Sequence, residues 1–347
     1  MMGYGEPFGD LEIVRPLTTL RSATIYEALR GKTKVLLKVA HDRFHDKLKR
    51  EAQFLSGLQK KDIDHPFFPK LLNAHPTTTH AYGKTTIGKR VKYYCVFEHV
   101  AGELLSELLL KTPQPWFKHV GWIGLSLTSA IGFLHEQRKL HLMLYPEAIL
   151  LFYDQQDVPR MTLLDLGMMV WPTRDAKIEG WVSLGLPHAY TAPELLKTTP
   201  KANRSTDVYG IGLILYEMLA GYPAFANAVQ SDFQIRENVL KGNAMPITRP
   251  DLTSMPKVAK KAISFMPKSR FAHPQALADV LQETIPPIPE KVRESAVNWR
   301  LLHIALWVVL IVSVIVILGL GMVEDPNNVT PISEPIGALL SCQALMS

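Results

Sequence analysis

Cysteine is scarce in this chain: Cys95 and Cys342 are its two thiols among 347 residues. Two cysteines build neither the multi-bridge framework of a small secreted domain nor a four-thiolate zinc site, so side-chain packing has to hold the fold. Internal repeats and low-complexity tracts are missing as well, which removes solenoids and linker-like chains. Charge of one sign is also short. The 38 Lys and Arg exceed the 32 Asp and Glu by only 6, scattered along the chain, and no nucleic-acid-binding motif accompanies them. With 47% apolar and 20% charged residues the chain has enough hydrophobic material for one large or two ordinary domains, far from the composition of a disordered protein. The first thirty residues hold no basic stretch followed by an apolar run, so no cleaved secretory leader is expected.

One segment lacks charge altogether. Between Arg300 and Glu324 no ionisable acid or strong base occurs, and Leu301 to Met322 is 22 residues of almost continuous apolar sequence. As a helix it would reach ~33 Å, the thickness of a bilayer core. Lys291, Arg293 and Arg300 precede it, whereas 323–347 carries Glu324, Asp325 and Glu334 and no Lys or Arg. The positive-inside rule then predicts a single pass with the N-terminal part in the cytosol and 323–347 outside. Residues 285–300 begin Ile285-Pro286-Pro287-Ile288-Pro289, which reads as a stiff juxtamembrane linker.

Residues 7–284 show a change of periodicity. From Leu11 to Ala40 short apolar stretches alternate with turn signals, as antiparallel strands do, and Tyr93 to Phe97 reads as another strand. Phe44, Leu48, Ala52, Leu55 and Leu58 have helical spacing. Between that helical stretch and the Tyr93–Phe97 strand, the basic stretch Thr77 to Lys92 reads as a solvated hairpin. Beyond Gly102 helices dominate, over Leu104–Leu110, Trp116–His135, Val208–Leu219, Lys257–Phe265 and Pro274–Glu283. Strands first and helices after predict an α+β domain with two lobes. His41-Asp42-Arg43-Phe44-His45 approaches the zinc-binding H-E-x-x-H pattern but lacks the glutamate and a third ligand, so no metal is expected there.

Several segments, in order, resemble the signature set of the protein kinase family. Leu37-Lys38-Val39 resembles the strand lysine and Glu51 the helix glutamate that pairs with it. Phe97-Glu98-His99-Val100 resembles gatekeeper and hinge, placing the small lobe at 7–97, the hinge at 98–102 and the large lobe at 103–284. Asp165-Leu166-Gly167 resembles D-F-G, Ala192-Pro193-Glu194 matches A-P-E, Asp207 opens a segment like the central large-lobe helix, and Arg270 falls where the family buries an ion pair with the A-P-E glutamate. The resemblance implies structural roles for His141, Glu194, Asp207 and Arg270. It implies nucleotide binding, if any, at Leu17, Ile25, Leu36, Lys38, Glu51, Phe97, Glu98, Val100, Leu150 and Asp165, with a metal only at Asp165.

The departures from the family pattern fall on its chemistry. His141 to Leu151 aligns with the catalytic loop without gaps, yet Leu142 stands for the arginine, Met143 for the base aspartate, Tyr145 for the lysine and Ala148 for the metal-binding asparagine. A thioether has no useful basicity. In Leu17 to Tyr26 the glycine positions of the phosphate-covering loop hold Thr18, Leu20 and Ala23. Leu36 replaces the alanine that leaves room for adenine and, with Ile25 and Leu150, is expected to fill that space. Lys38 with Glu51 reads either as a structural ion pair or as a nucleotide site. The expectation is a pseudokinase laid out like bacterial transmembrane serine/threonine kinases, without bound cofactor, acting as a scaffold or allosteric partner of an active kinase or another signalling protein. The rival expectation is a residual ATP- and Mg²⁺-dependent serine/threonine kinase with an unconventional base. Thr173, Ser183 and Thr191 are possible phosphorylation sites.

Overall fold

The computed structural model describes residues 2–171, 188–226, 230–249 and 254–286. They belong to one compact unit, Met1–Pro289; Glu290–Ser347 forms a second unit, and the apolar run 301–322 lies outside the described residues, as do Thr173 and Ser183. Among the described residues no helix is long and apolar enough to cross a membrane.

The small lobe is an antiparallel sheet. β1 (Pro7–Phe8), β2 (Leu11–Thr19), β3 (Ala23–Arg30), β4 (Thr33–Ala40), β7 (Arg90–Glu98) and β5 (Leu71–Leu72) pair in that order, and β6 (Gly83–Ile87) pairs with β7. Successive strand side chains point to opposite faces. Along β4, Val35, Leu37 and Val39 therefore join Ile13, Tyr26 and Val96 in one apolar layer, while Leu36 and Ala40 join Ile25, Cys95 and Phe97 on the other face. Lys38 shares that second face. The hairpin expected in 77–92 is β6 with the start of β7, turning at Gly88 with φ +58°.

Helix α1 (His45–Gln59) packs there through Leu48, Ala52, Leu55 and Leu58, and Glu51, one turn after Leu48, lies on the same buried stripe. The large lobe contains α2 (Leu105–Lys111), α3 (Phe117–Glu136), α4 (Arg204–Ala220), α5 (Asp232–Lys241), α6 (Met255–Ala262) and α7 (Pro274–Thr284). Helix α4 is buried from Ser205 to Ala220, Asp207 and Glu217 included, as a central helix must be. An Asn203–Thr206 capping box starts it and Gly221, at φ +84°, ends it. Gly121 lets α3 approach the residue that follows α7: a Cβ there would stand 2.5 Å from Ile285.

Three features correct the sequence reading. A second antiparallel sheet joins β8 (Glu103–Leu104), β9 (Ile149–Tyr153) and β10 (Pro159–Leu163), whose mostly apolar run has no clean alternation to betray it. Helix α5 buries only Val239, so it lacks an apolar stripe; its signal was the Ser231–Gln234 capping box. Helix α6 runs Met255–Ala262 rather than 257–265, opening at Pro256, whose fixed φ suits a first turn.

Candidate functional site

The site is built around one buried cation. Lys38 Nζ lies 2.9 and 2.7 Å from the two Glu51 carboxylate oxygens, 3.0 Å from Asp165 Oδ1 and 2.9 Å from the Leu164 carbonyl. All three ionisable side chains are buried. Burial alone would lower the Lys38 pKa, but the Asp165 and Glu51 charges outweigh it and raise it. Burial pushes Glu51 up to about 7, with the Asp165 charge adding to the rise and Lys38 opposing it. Asp165 is pushed up by burial too, yet Lys38 and the Gly167 N–H hold it below the ordinary carboxylate range.

Both oxygens of Asp165 are engaged. Oδ1 accepts from Lys38, from the Gly167 N–H at 3.1 Å and from the Ser22 hydroxyl at 3.4 Å; Oδ2 accepts from the Tyr145 hydroxyl at 3.1 Å. The same Tyr145 oxygen accepts the Arg21 N–H at 3.4 Å, and Thr18 Oγ1 donates to the Glu147 carbonyl at 3.2 Å. The β2–β3 turn is thus tied down onto the 141–148 segment. Burial, then the Asp165 charge, pushes the Tyr145 phenol well above its usual pKa, so it stays a donor.

The 141–148 segment keeps its shape through Asp207. Its carboxylate accepts the His141 N–H at 2.9 Å, the Leu142 N–H at 2.6 Å and sits 2.7 Å from His135 Nε2. Leu142 has φ +65°, a left-handed conformation that costs a non-glycine residue on the order of 1 kcal/mol and persists here because Asp207 fixes the two amides. His141 Nε2 donates to the Asp165 carbonyl at 2.7 Å, leaving Nδ1 to accept the Met143 N–H at 3.3 Å, and burial lowers its pKa. Met143, Tyr145 and Ala148 are all buried.

Leu17, Ile25, Leu36, Phe97 and Leu150 belong to one apolar cluster that also contains Leu20, all less than a tenth exposed. Glu98 and Val100 stand apart from Lys38 at the sheet's end, Glu98 pairing with Lys70 at 3.0 Å. Elsewhere, Glu194 and Arg270 form a bidentate pair at 2.7 Å each, with Arg270 also donating to the Ser205 and Phe265 carbonyls. Tyr190 donates to Glu217 at 2.7 Å, and burial pushes that carboxyl up to about 7. At the zinc-like motif, His41 is engaged by Thr24 at 2.8 Å and the Arg21 carbonyl at 3.2 Å, and His45 stacks on Tyr93.

Residues 24–281 match the protein kinase domain. The chain belongs to the protein kinase family. It is 29% identical over 189 residues to calcium/calmodulin-dependent protein kinase type 1 of Caenorhabditis elegans, covering 53% of this chain and 52% of the relative. Similarity to the same kinase type in Macrobrachium nipponense is 27% over 209 residues, covering 60% and 53%. Against cAMP-dependent protein kinase catalytic subunit 3 of Drosophila melanogaster it is 27% over 149 residues, covering 43% and 24%. The chain spans about half the length of the first of these relatives, and less of the last. Lys38 and Glu51, which the resemblance assigns to the strand-lysine and helix-glutamate places, are brought into contact by β4 and α1. Sequence reasoning placed these residues but missed Ser22 and the Arg21 amide as partners of the cleft. No local pattern announces a contact spanning more than 120 residues of chain.

Proposed function

We propose that this chain is a membrane-anchored pseudokinase, a binding module whose folded surface, rather than its cleft, carries the function. The observation behind this reading is the Tyr145 hydroxyl on Asp165 Oδ2. A Mg²⁺ ion carried by ATP needs free carboxylate oxygen and at least one further protein ligand. Here both Asp165 oxygens are hydrogen-bonded, Ala148 supplies no oxygen and Met143 no base, and Leu36 and Leu150 are packed where adenine would enter. These residues do not fit a nucleotide–metal pair. What the site does is mechanical: it clamps the small lobe to the large one. A rigid two-lobed surface suits recruitment of an active kinase or another signalling protein to the membrane, and the uncharged run 301–322 with its basic N-terminal flank supports single-pass anchorage with the domain in the cytosol.

Thermal unfolding of the full chain in detergent, with ATP or ADP and with or without Mg²⁺, tests the reading. A ligand at 100 times its dissociation constant stabilises by ~2.7 kcal/mol; no shift at millimolar nucleotide is expected. A Mg²⁺-dependent shift that disappears in Lys38→Ala or Asp165→Ala overturns the proposal in favour of a residual serine/threonine kinase. The intact Lys38–Glu51 pair at 2.7 Å is what favours that second reading.

A further inference from the structure

Beside the buried helix α4 the large lobe leaves space. Protein interiors hold few voids larger than a water molecule, yet a cavity of about 440 Å³ lies among α4, the end of α6 and the 242–246 strap that follows α5. Tyr216, Phe225 and Ile263 are buried and form its floor; Gly242, Ala244 and Lys260 are exposed and form its rim. The strap is fixed in place. Gly242, at φ +68°, ends α5; the Met245 N–H then donates to the Ala224 carbonyl at 2.9 Å, and the Tyr222 hydroxyl donates to the Pro246 carbonyl. These bonds tie the strap to the chain that follows α4, which keeps the cavity open on the α6 side.

Two features give the cavity its chemical character. The Tyr216 hydroxyl is buried and, among the described residues, no group bonds to it. Native structures rarely leave such a group alone. Burial, with the neighbouring Tyr222 phenol adding to it, pushes the Tyr216 pKa up to about 12, so this hydroxyl keeps its hydrogen. Tyr222 is itself bonded to Pro246 of the strap, which sets the unpaired hydroxyl at the strap side of the floor. The second feature is charge. No Asp or Glu lines the cavity, whereas Lys260 does and has no carboxylate partner among the described residues. Lys197 holds its ammonium 5.6 Å from the centre of the Phe265 ring, another part of the wall. Glu237 of α5 is already paired with Lys241 at 3.4 Å and Arg236 at 3.8 Å. A volume within the ~300–1,000 Å³ of small-molecule sites, aromatic and aliphatic walls, a lone buried donor and a cation at the rim together describe a place for an anion with an apolar body.

We propose that this cavity binds a small apolar carboxylic acid, its carbon body against Phe225, Ile263 and Phe265, its carboxylate accepting the Tyr216 hydrogen and paired with the Lys260 ammonium. None of these residues belongs to the Lys38 cluster, so the site is separate from the cleft. Equilibrium dialysis of naphthalene-2-carboxylate against the full chain in phosphatidylcholine nanodiscs, with empty discs as blank, tests the proposal, and naphthalene-2-carboxamide is the neutral counterpart of the same shape. Saturable binding of the acid is expected, about tenfold tighter than that of the amide. Lys260→Met, on the exposed rim, should weaken the acid by about the same factor and leave the amide unchanged. Tyr216→Phe should weaken the acid several-fold while the unliganded chain melts no lower than before, because the lost hydroxyl has no partner to leave behind. Ala244→Trp, which fills the rim, should abolish binding. An acid that fails to saturate at millimolar concentration, or that binds Ala244→Trp as well as the unaltered chain, overturns the proposal. Equal affinity for the amide overturns the choice of an acid. Unchanged affinity in a Tyr216→Phe chain that melts lower assigns the hydroxyl to the fold and removes it from the site.

Discussion

Glu217 accepts a hydrogen bond from Tyr190, has no salt-bridging cation among the described residues, and is held up to about 7 by burial. Folding therefore tightens its hold on a proton. Stability from this group is greatest below the unfolded value near 4.5 and declines as pH rises to about 7, beyond which it stays low. Glu217→Gln still accepts from Tyr190 but never ionises. Urea unfolding at pH 8 should find the variant more stable by about 2 kcal/mol, with the difference vanishing near pH 4.5. Asp207 is the opposite case, a carboxylate that backbone amides require. Asp207→Ala strands two buried N–H groups and releases the strained Leu142, so its unfolding free energy should fall by about 4 kcal/mol, read as a lower urea midpoint at unchanged m-value. Both residues bear on what a sequence discloses. Asp207 stood out because its segment follows a family pattern. The Glu217–Tyr190 bond joins residues 27 apart through a 3₁₀ turn that no periodicity marks.

Among the elements, the β2–β3 turn departs furthest from what its family position demands. Glycine lets a backbone come close to phosphate; Thr18, Leu20 and Ala23 instead give the turn side chains, and Leu20 is buried in the interlobe core. The turn is pinned by three contacts, from Thr18, the Arg21 amide and Ser22, to 145–147 and Asp165. Tyr145 is the hub, accepting from Arg21 and donating to Asp165. Tyr145→Phe keeps the ring and removes both bonds, leaving one buried carboxylate oxygen short of a donor. The expected cost is about 1–3 kcal/mol, and native-state hydrogen exchange should quicken across 18–24 while β3 and β4 beyond the turn keep their protection. Unchanged exchange in 18–24 would show that the apolar seat of Leu20 alone holds the turn. That Lys38 and Glu51 pair was legible only as what the resemblance to the kinase family implies, and the structure puts the two side chains in contact on the buried face between β4 and α1. The descent of the turn was not legible, since it depends on side chains from three distant segments.

In the whole domain, the Lys38 cluster is where the lobes are joined: β4 supplies the cation, α1 one carboxylate and the segment after β10 the other. Breaking a buried ion pair costs more than the pair contributes, because the partner charges remain; about 3–5 kcal/mol is usual. Lys38→Met deletes the cation at similar length and leaves Glu51 and Asp165 facing each other across the interlobe seam. The intact chain is expected to unfold in one calorimetric transition, because neither lobe opens without disrupting this cluster and the apolar layer beside it. In Lys38→Met the small lobe, with less core of its own, should melt first and split the transition in two. Lowering the pH to 5 should draw the two transitions together again, since a protonated Glu51 relieves the repulsion that the missing ammonium used to balance. A kinase that uses its strand lysine on phosphate would respond differently: losing the lysine would weaken nucleotide binding and leave the lobes' cooperativity as it was. A single unsplit transition in Lys38→Met would therefore remove the clamp as this cluster's purpose and return Lys38 to ligand chemistry.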